Sequence, residues 1–330
     1  MIAPALRRAR CASRVCNAPP APSRFGRPPA RTLALIAPPL LIADVPWLLY
    51  RAYFSVPASV VDARGRPVNA LLGTVNALLT AAQATEPRAV VACLGAEQAA
   101  YRVRLYPPYH AHRDAMPKDL AAQFRSAPKL LGGLGWTVSE TAELEADDVM
   151  FSHATLEGER GGSALLMTAD RDLYAAVSDE VAVLELRPRA QVARLGPAQV
   201  RERYGVGPEL VADFIALRGD PSDGLPGAPG IGAKTAAQLL ARFGSLESLL
   251  AAAAQPRTVI AGELSPRLAS VLRDTAHELE VFKLVATLQR IDVAPVPDAG
   301  TDYAGGARAA QRLGMRGLAE RLRGLATGKT

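Results

Sequence analysis

Eight carboxylates stand in four short clusters: Asp44; Glu145, Asp147 and Asp148; Asp170 and Asp172; Asp220 and Asp223. Taken singly, each has an ordinary explanation. An acid in a helix's first turn caps it and meets its dipole, and an aspartate after a strand closes an Asx turn. Gathered in one place, so many would repel each other unless protons or cations intervened. Hard divalent ions such as Mg²⁺ or Mn²⁺ take oxygen ligands. Two of them about 3.5–4 Å apart activate a water and stabilise the leaving oxygen of a phosphodiester. Zinc is disfavoured, because Cys11, Cys16, Cys93 and the four histidines offer no pairs at zinc-ligand spacing.

The last cluster runs into a glycine turn, Gly230-Ile231-Gly232, followed by Lys234 and Thr235 at the start of a helix. Glycine lets a backbone take positive φ and approach a ligand closely. A helix N-terminus offers unpaired N–H groups and partial positive charge, which suit a phosphate. Acids for a cation thus adjoin a turn for a nucleic-acid backbone.

Short apolar runs at 40–43, 89–94, 136–139, 164–168 and 181–186 predict strands, and amphipathic stretches at 47–54, 69–84, 118–134, 146–157 and 172–178 predict helices between them. This alternation predicts a mainly parallel α/β sheet with flanking helices. Asp44 directly follows the first strand and Asp170 the fourth, so parallel strands would bring the acids to one end of the sheet, where ligands of open α/β sheets gather. Beyond Pro188 the strand signal ends. Stretches at 197–204, 208–217, 234–243, 245–253 and 267–286 predict an all-helical module, and 305–325 one closing helix.

The chain of 330 residues suffices for one large core or two moderate ones. Its net charge of +6 misleads: residues 1–32 carry seven arginines and no acid, leaving 31 basic against 32 acidic side chains elsewhere. That Arg/Pro-rich start is expected to be a disordered tail or a mis-assigned start. No apolar run reaches the ~18 residues of a membrane span, and three cysteines make no disulfide framework, which favours a cytoplasmic setting.

The motifs together resemble the 5′→3′ exonuclease and flap endonuclease family, which includes the N-terminal nuclease domain of bacterial DNA polymerase I. Leu-Ile-Ala-Asp (41–44), Leu-Glu-Ala-Asp-Asp-Val (144–149), Thr-Ala-Asp-Arg-Asp-Leu-Tyr (168–174) and the run from Gly219 to Ala236 appear in the family's order over about residues 40 to 290. The resemblance implies a PIN-like nuclease domain at 33–187, with an arch at about 97–130. A helix–three-turn–helix module follows at 188–300, then a helical tail at 301–330. It implies hydrolysis of DNA at 5′ ends, flaps or branches by a monomer, in replication or repair at the bacterial nucleoid, with no small-molecule cofactor. Asp44, Glu145, Asp147, Asp148, Asp170, Asp172, Asp220 and Asp223 would hold two divalent cations, Mg²⁺ or Mn²⁺, with a monovalent cation at the glycine turn. Arg113 and His110 would meet the scissile phosphate. Arg102, Tyr109, Arg113, Gly230, Gly232, Lys234 and Thr235 would hold DNA, and the arch aromatics, Tyr101, Tyr106, Tyr109 and Phe124, would stack on unpaired bases.

Three positions depart from the family. Gly95 stands where a metal-site aspartate ends the second strand, Glu97 being the nearest acid; His110 replaces a lysine; and Val45 replaces a glycine, crowding the substrate's approach. Weakened cleavage is one expectation. A DNA-structure-binding protein without cleavage and an RNA-directed ribonuclease of PIN type are the alternatives.

Overall fold

The computed structural model describes residues 37–187, 192–256 and 260–328; the expected tail at 1–32 lies outside them. Six strands form one sheet: β1 (Leu40–Asp44), β2 (Ala89–Leu94), β3 (Thr137–Glu140), β4 (Ala164–Met167), β5 (Val181–Leu186) and β6 (Val192–Leu195). Their order is β3-β2-β1-β4-β5-β6, and every pairing is parallel except β5 with β6. The chain winds outward from β1 through β2 to β3, then crosses to β4. The order therefore reverses between β1 and β4, the point where such sheets form a crevice. Every residue of β1, β2 and β4 is buried, as their unbroken apolar runs require of strands covered on both faces.

Alternate residues feed two cores. Leu41, Ala43, Val90, Ala92 and Met167 face α1 (Val45–Ser55), α2 (Asn69–Thr85) and α4 (Lys118–Gly133). Leu40, Ile42, Val91 and Leu166 face α5 (Ala146–Glu159) and the helices that follow β6. These are α6 (Pro197–Tyr204), α7 (Val211–Arg218), α8 (Ala233–Phe243), α9 (Leu246–Ala253), α10 (Pro266–Asp274) and α11 (Ala276–Ala286). Phe214, Leu240 and Leu279 share one continuous apolar cluster with the sheet.

Several sequence expectations change. β6 was missed because four edge residues carry too little alternation to register. The stretch 172–178 is a 3₁₀ turn over Asp172–Ala176, and the arch begins with an unforeseen short helix, α3 (Ala100–Leu105). The single helix expected at 267–286 breaks at Thr275, whose hydroxyl donates to the Val271 carbonyl at 2.8 Å while its backbone leaves the helical region. The closing helix is a hairpin, α12 (Tyr303–Arg312) and α13 (Arg316–Ala326), turned by Gly314 at φ +76°. It is no loose tail: Ala307, Ala310, Leu318 and Leu322 are buried on the α1/α2/α4 face.

Candidate active site

The floor of the site is built on the β1/β4 reversal. Asp44 ends β1 and caps α1, accepting the Trp47 N–H on Oδ1 at 2.9 Å. Its Oδ2 accepts the Thr168 hydroxyl from the end of β4 at 2.8 Å. Thr168 Oγ1 in turn accepts the Asp170 N–H, and Asp170 Oδ1 accepts that of Asp172, both at 2.9 Å. One buried hydroxyl therefore sets the spacing of three acids. Thr168 lay in the family motif, but its side chain had no assigned role.

Asp44, Glu145, Asp147, Asp170, Asp172 and Asp223 line one cavity of about 520 Å³, with Glu97, His110 and Arg113 on its rim. An adjoining cavity of about 480 Å³ shares Asp44, Asp170 and Asp172 and adds Arg218 and Asp220. Burial pushes Asp44 from the ordinary carboxylate value near 3.8 up to about 6, against its hydrogen bonds from Trp47 and Thr168 and with help from the charge on Asp170. Asp147 and Asp172 are pushed well above that range, by desolvation first and by neighbouring carboxylates second. Asp170 rises as well: solvent reaches it, but the concave wall around it withholds bulk dielectric. Among the described residues no three His, Cys, Asp or Glu side chains enclose an ion unaided. That donor set suits a hydrated hard cation, since Mg²⁺ keeps several waters and uses few carboxylates.

Not every expected ligand is free to serve. Asp148 is fully buried and faces away from the cavity into Arg102, which donates Nη1–H and Nη2–H to it at 2.9 and 2.8 Å. Asp148 also accepts the Gln289 N–H at 2.7 Å. Glu145 lines the cavity, yet Oε1 accepts the Ala99 N–H at 2.7 Å and Oε2 the Tyr109 hydroxyl at 3.0 Å. Asp220 holds the Ser222 N–H and hydroxyl on one oxygen and Arg218 Nη2 on the other.

Two expected DNA contacts are corrected by the same geometry. Arg102 is 4% exposed, its guanidinium divided among Asp148, Glu145 and the Val285 carbonyl, so it has no donor face for a phosphate. The Tyr109 ring is also buried and stacks on His110 at 3.8 Å between centroids. Tyr106 meets Phe282 edge-on and Phe124 meets Tyr50 in the same way, so these arch aromatics pack within the protein rather than standing out as stacking platforms.

Gly95 is the sharpest departure. A Cβ there would lie 2.5 Å from Ala146 N and 2.6 Å from the Leu144 carbonyl oxygen. The next residue, Ala96, donates its N–H to that carbonyl at 2.8 Å. No vacancy awaits an aspartate; the backbone of 144–146 fills it. Glu97 reaches the rim, where its carboxylate meets the Tyr50 hydroxyl. Val45 does not crowd the cavity: it is buried in the α1/α2/α4 core, and Pro46 and Trp47 line the cavity instead.

His110 sits at φ +54° and holds Asp223 Oδ1 by Nε2 at 2.8 Å, while Arg113 Nη2 approaches the same oxygen at 3.4 Å. Its Nδ1 is buried without a partner. Farther along, Gly230 takes φ +78°, and Gly232, at φ −88°, caps α8; a Cβ on Gly232 would meet open space. Gly230, Gly232 and Lys234 are exposed and Thr235 is half-buried.

The model of the 5′-3′ exonuclease N-terminal resolvase-like domain matches residues 39–205, and that of the 5′-3′ exonuclease C-terminal SAM fold matches 206–299. The chain belongs to the 5′-3′ exonuclease family. A 5′-3′ exonuclease of Streptomyces coelicolor is 38% identical over 304 residues, covering 86% of this chain and 98% of that protein. One from Mycobacterium tuberculosis is also 38% identical, over 70% of this chain and 78% of that one. DNA polymerase I of M. tuberculosis is 36% identical over 263 residues, and the match spans only 28% of its length. Among solved structures, T5 5′-exonuclease with divalent zinc ions bound aligns with a TM-score of 0.60 at 18% identity, covering 86% of this chain and 96% of that one. The catalytic core of Rad2 in complex with a DNA substrate aligns at 0.59 and 13%, covering 87% and 92%. At those identities the likeness is one of fold. This member of the exonuclease family thus has its family's sheet and acids, with Gly95 and His110 as its own variations.

Proposed function

We propose that this chain hydrolyses DNA phosphodiesters at 5′ ends, flaps or branches, using two divalent cations, Mg²⁺ or Mn²⁺. The observation that carries this is the set Asp44, Asp147, Asp170, Asp172 and Asp223 around one cavity, several of them with raised carboxyl pKa values. Such a set is costly to keep charged without a cation. These five residues would hold the ions, with Glu145 beside them. Bound there, the ions supply a lowered pKa for the attacking water and charge stabilisation for the leaving oxygen.

The remaining work falls to the chain's own groups. Arg113, 43% exposed at the rim, orients the scissile phosphate. His110 Nε2 is taken by Asp223, so Nδ1 is the atom left to meet a phosphate oxygen. Trp47, Tyr50, Met116 and Phe124 form the apolar wall that excludes bulk water. The exposed turn at Gly230 and Gly232, with Lys234 and Thr235, grips a duplex backbone without reading sequence, with a monovalent cation at the turn. The setting this implies is a cytoplasmic monomer at the nucleoid; no helix among the described residues is long and apolar enough to cross a membrane.

A second reading, a DNA-structure-binding protein that cuts slowly or not at all, is favoured by one feature. Gly95 supplies no acid, while Glu145 and Asp148 are committed to Ala99, Tyr109 and Arg102. Incubating the purified protein with 5′-flap DNA and with the matching RNA flap, in Mg²⁺ and in Mn²⁺, separates the readings. Cation-dependent cutting of the DNA flap is expected. Tight binding without cutting supports the second reading, and preferential cutting of RNA contradicts both.

A further inference from the structure

The α12–α13 hairpin lies beyond residue 299, where the family match ends. Between residues 303 and 326 it carries five arginines (308, 312, 316, 321 and 323) and one acid, Glu320. Residues 33–330 as a whole are close to charge balance, so this is a concentration, not a share of a general excess. All five arginines are exposed. Arg312 and Arg316 have no ion-pair partner among the described residues, and Arg308 has only a 3.7 Å approach to an exposed Asp302. Arg323 donates to Gln311 Oε1 at 2.9 Å, which ties the two helices' outer faces together.

The surface continues onto α4. Lys118, Arg125 and Lys129 recur at i, i+7 and i+11, on one exposed stripe of that helix, again without ion-pair partners among the described residues. The two elements meet closely: a Cβ on Gly133 would stand 2.5 Å from the Ala309 Cβ. Unpaired arginines in a line cost self-repulsion, and a polyanion relieves it.

We propose that this surface docks the phosphate backbone of a second duplex DNA arm. It rests on the nuclease reading above and names a further contact. Single strands are held by aromatics interleaved with cations, and Tyr303 is the only aromatic residue between 303 and 326. Arginines alone suit the regular phosphates of a duplex. Position points the same way. The hairpin packs on the sheet face fed by Leu41 and Ala43, whereas α8, which opens at the glycine turn, packs on the face fed by Leu40 and Ile42. Two grips on opposite faces, with the acids at the edge between them, fit DNA whose two arms diverge at the reacting junction.

The test compares the full chain with the triple variant Arg308→Gln, Arg312→Gln, Arg316→Gln and with its all-lysine counterpart. Binding is measured in chelator over a series of salt concentrations. The substrates are a flap DNA with two duplex arms, the same junction lacking the arm on the side away from the glycine turn, and a single strand. For the glutamine variant, the slope of log K against log salt on the two-armed DNA is expected to fall by about 3, roughly one per lost phosphate contact. The one-armed substrate should be unaffected, and the lysine variant should keep the slope. An unchanged slope on two-armed DNA, or a loss confined to the single strand, overturns the proposal. Failure of the unaltered chain to bind any of the substrates overturns the nuclease reading itself.

Discussion

Arg102 and Asp148 face each other in the protein interior as a two-pronged pair, at 2.8 and 2.9 Å, with both side chains at most 4% exposed. The pair joins three elements. Arg102 belongs to α3, the first helix of the arch. Asp148 is in the first turn of α5, beside Glu145 and Asp147. The Val285 carbonyl and the Gln289 N–H bring in the end of α11. The arch, the acids and the helical module are thus tied at one point.

Removing one partner of such a pair strands a buried charge, which costs about 3–5 kcal/mol, whereas replacing both with apolar groups is often tolerated. Arg102→Met should therefore lower the urea midpoint sharply, and Arg102→Met with Asp148→Leu should recover much of the loss. Urea melts of both variants check this. If the single variant were as stable as the parent, the pair would not be holding these elements.

The packing around Gly95 predicts that the aspartate of the family pattern cannot simply be restored. A side chain there collides with backbone atoms at 2.5–2.6 Å, so Gly95→Asp should unfold at lower temperature and gain no activity. Glu97→Gln, on the exposed rim, should keep the fold. If Glu97 compensates for Gly95, that variant should also raise the Mn²⁺ concentration needed for half-maximal cutting. Melting temperature and a cation titration of flap cleavage separate the two effects.

How legible all this was depends on where each residue gets its partners. Asp44 and Asp170 follow fully buried strands, and their convergence could be read from apolar runs plus the rule that parallel strands share a carboxyl end. Asp220 and Asp223 came from a motif whose glycines dictate a turn. Arg102 and Asp148 are 46 residues apart, and nothing local distinguishes an arginine that meets a phosphate from one that meets a carboxylate. The same limit hid the occupation of Gly95's surroundings by residues 144–146 and the role of Thr168, a single hydroxyl spacing Asp44 from Asp170. Val45 was misread because facing core or cavity depends on helix phase, which a one-residue comparison does not supply.

The raised carboxyl pKa values give a signed pH dependence. The folded chain holds protons on Asp44, Asp147 and Asp172 that the unfolded chain has released, so stability falls as pH rises from about 4 through 6 and beyond. His153, drawn down by burial, opposes this below its ordinary value, but it is one group against several. Exposed pairs such as Glu159 with Arg290 add about 0–1 kcal/mol each. The cation-free protein should therefore melt at higher temperature at pH 5 than at pH 7, and Mn²⁺ at pH 7 should close the gap. Scanning fluorimetry with and without chelator reads it; melting that rose with pH in chelator would mean the acids are not held together in this way.

Thr168→Val should act through Asp44. The hydroxyl donates to Asp44 Oδ2 and accepts from the Asp170 N–H, so its loss leaves both without their shared partner. Loss of such a supporting contact typically weakens metal affinity or activity about 10–100-fold. Calorimetric Mn²⁺ titration and initial rates of flap cleavage should both shift, while Thr168→Ser, which keeps the hydroxyl, should stay near the parent.

The central claim is that the acids at the β1/β4 reversal cut DNA. It is tested most directly by single-turnover cleavage of a 5′-labelled flap DNA in Mn²⁺, by the unaltered chain and by Asp147→Asn side by side. The account predicts a product released at the junction by the unaltered chain, none in chelator, and a rate at least about 100-fold lower for Asp147→Asn. Cleavage at the same rate by the variant, or no cation-dependent cleavage by the unaltered chain at any Mn²⁺ concentration, would contradict it.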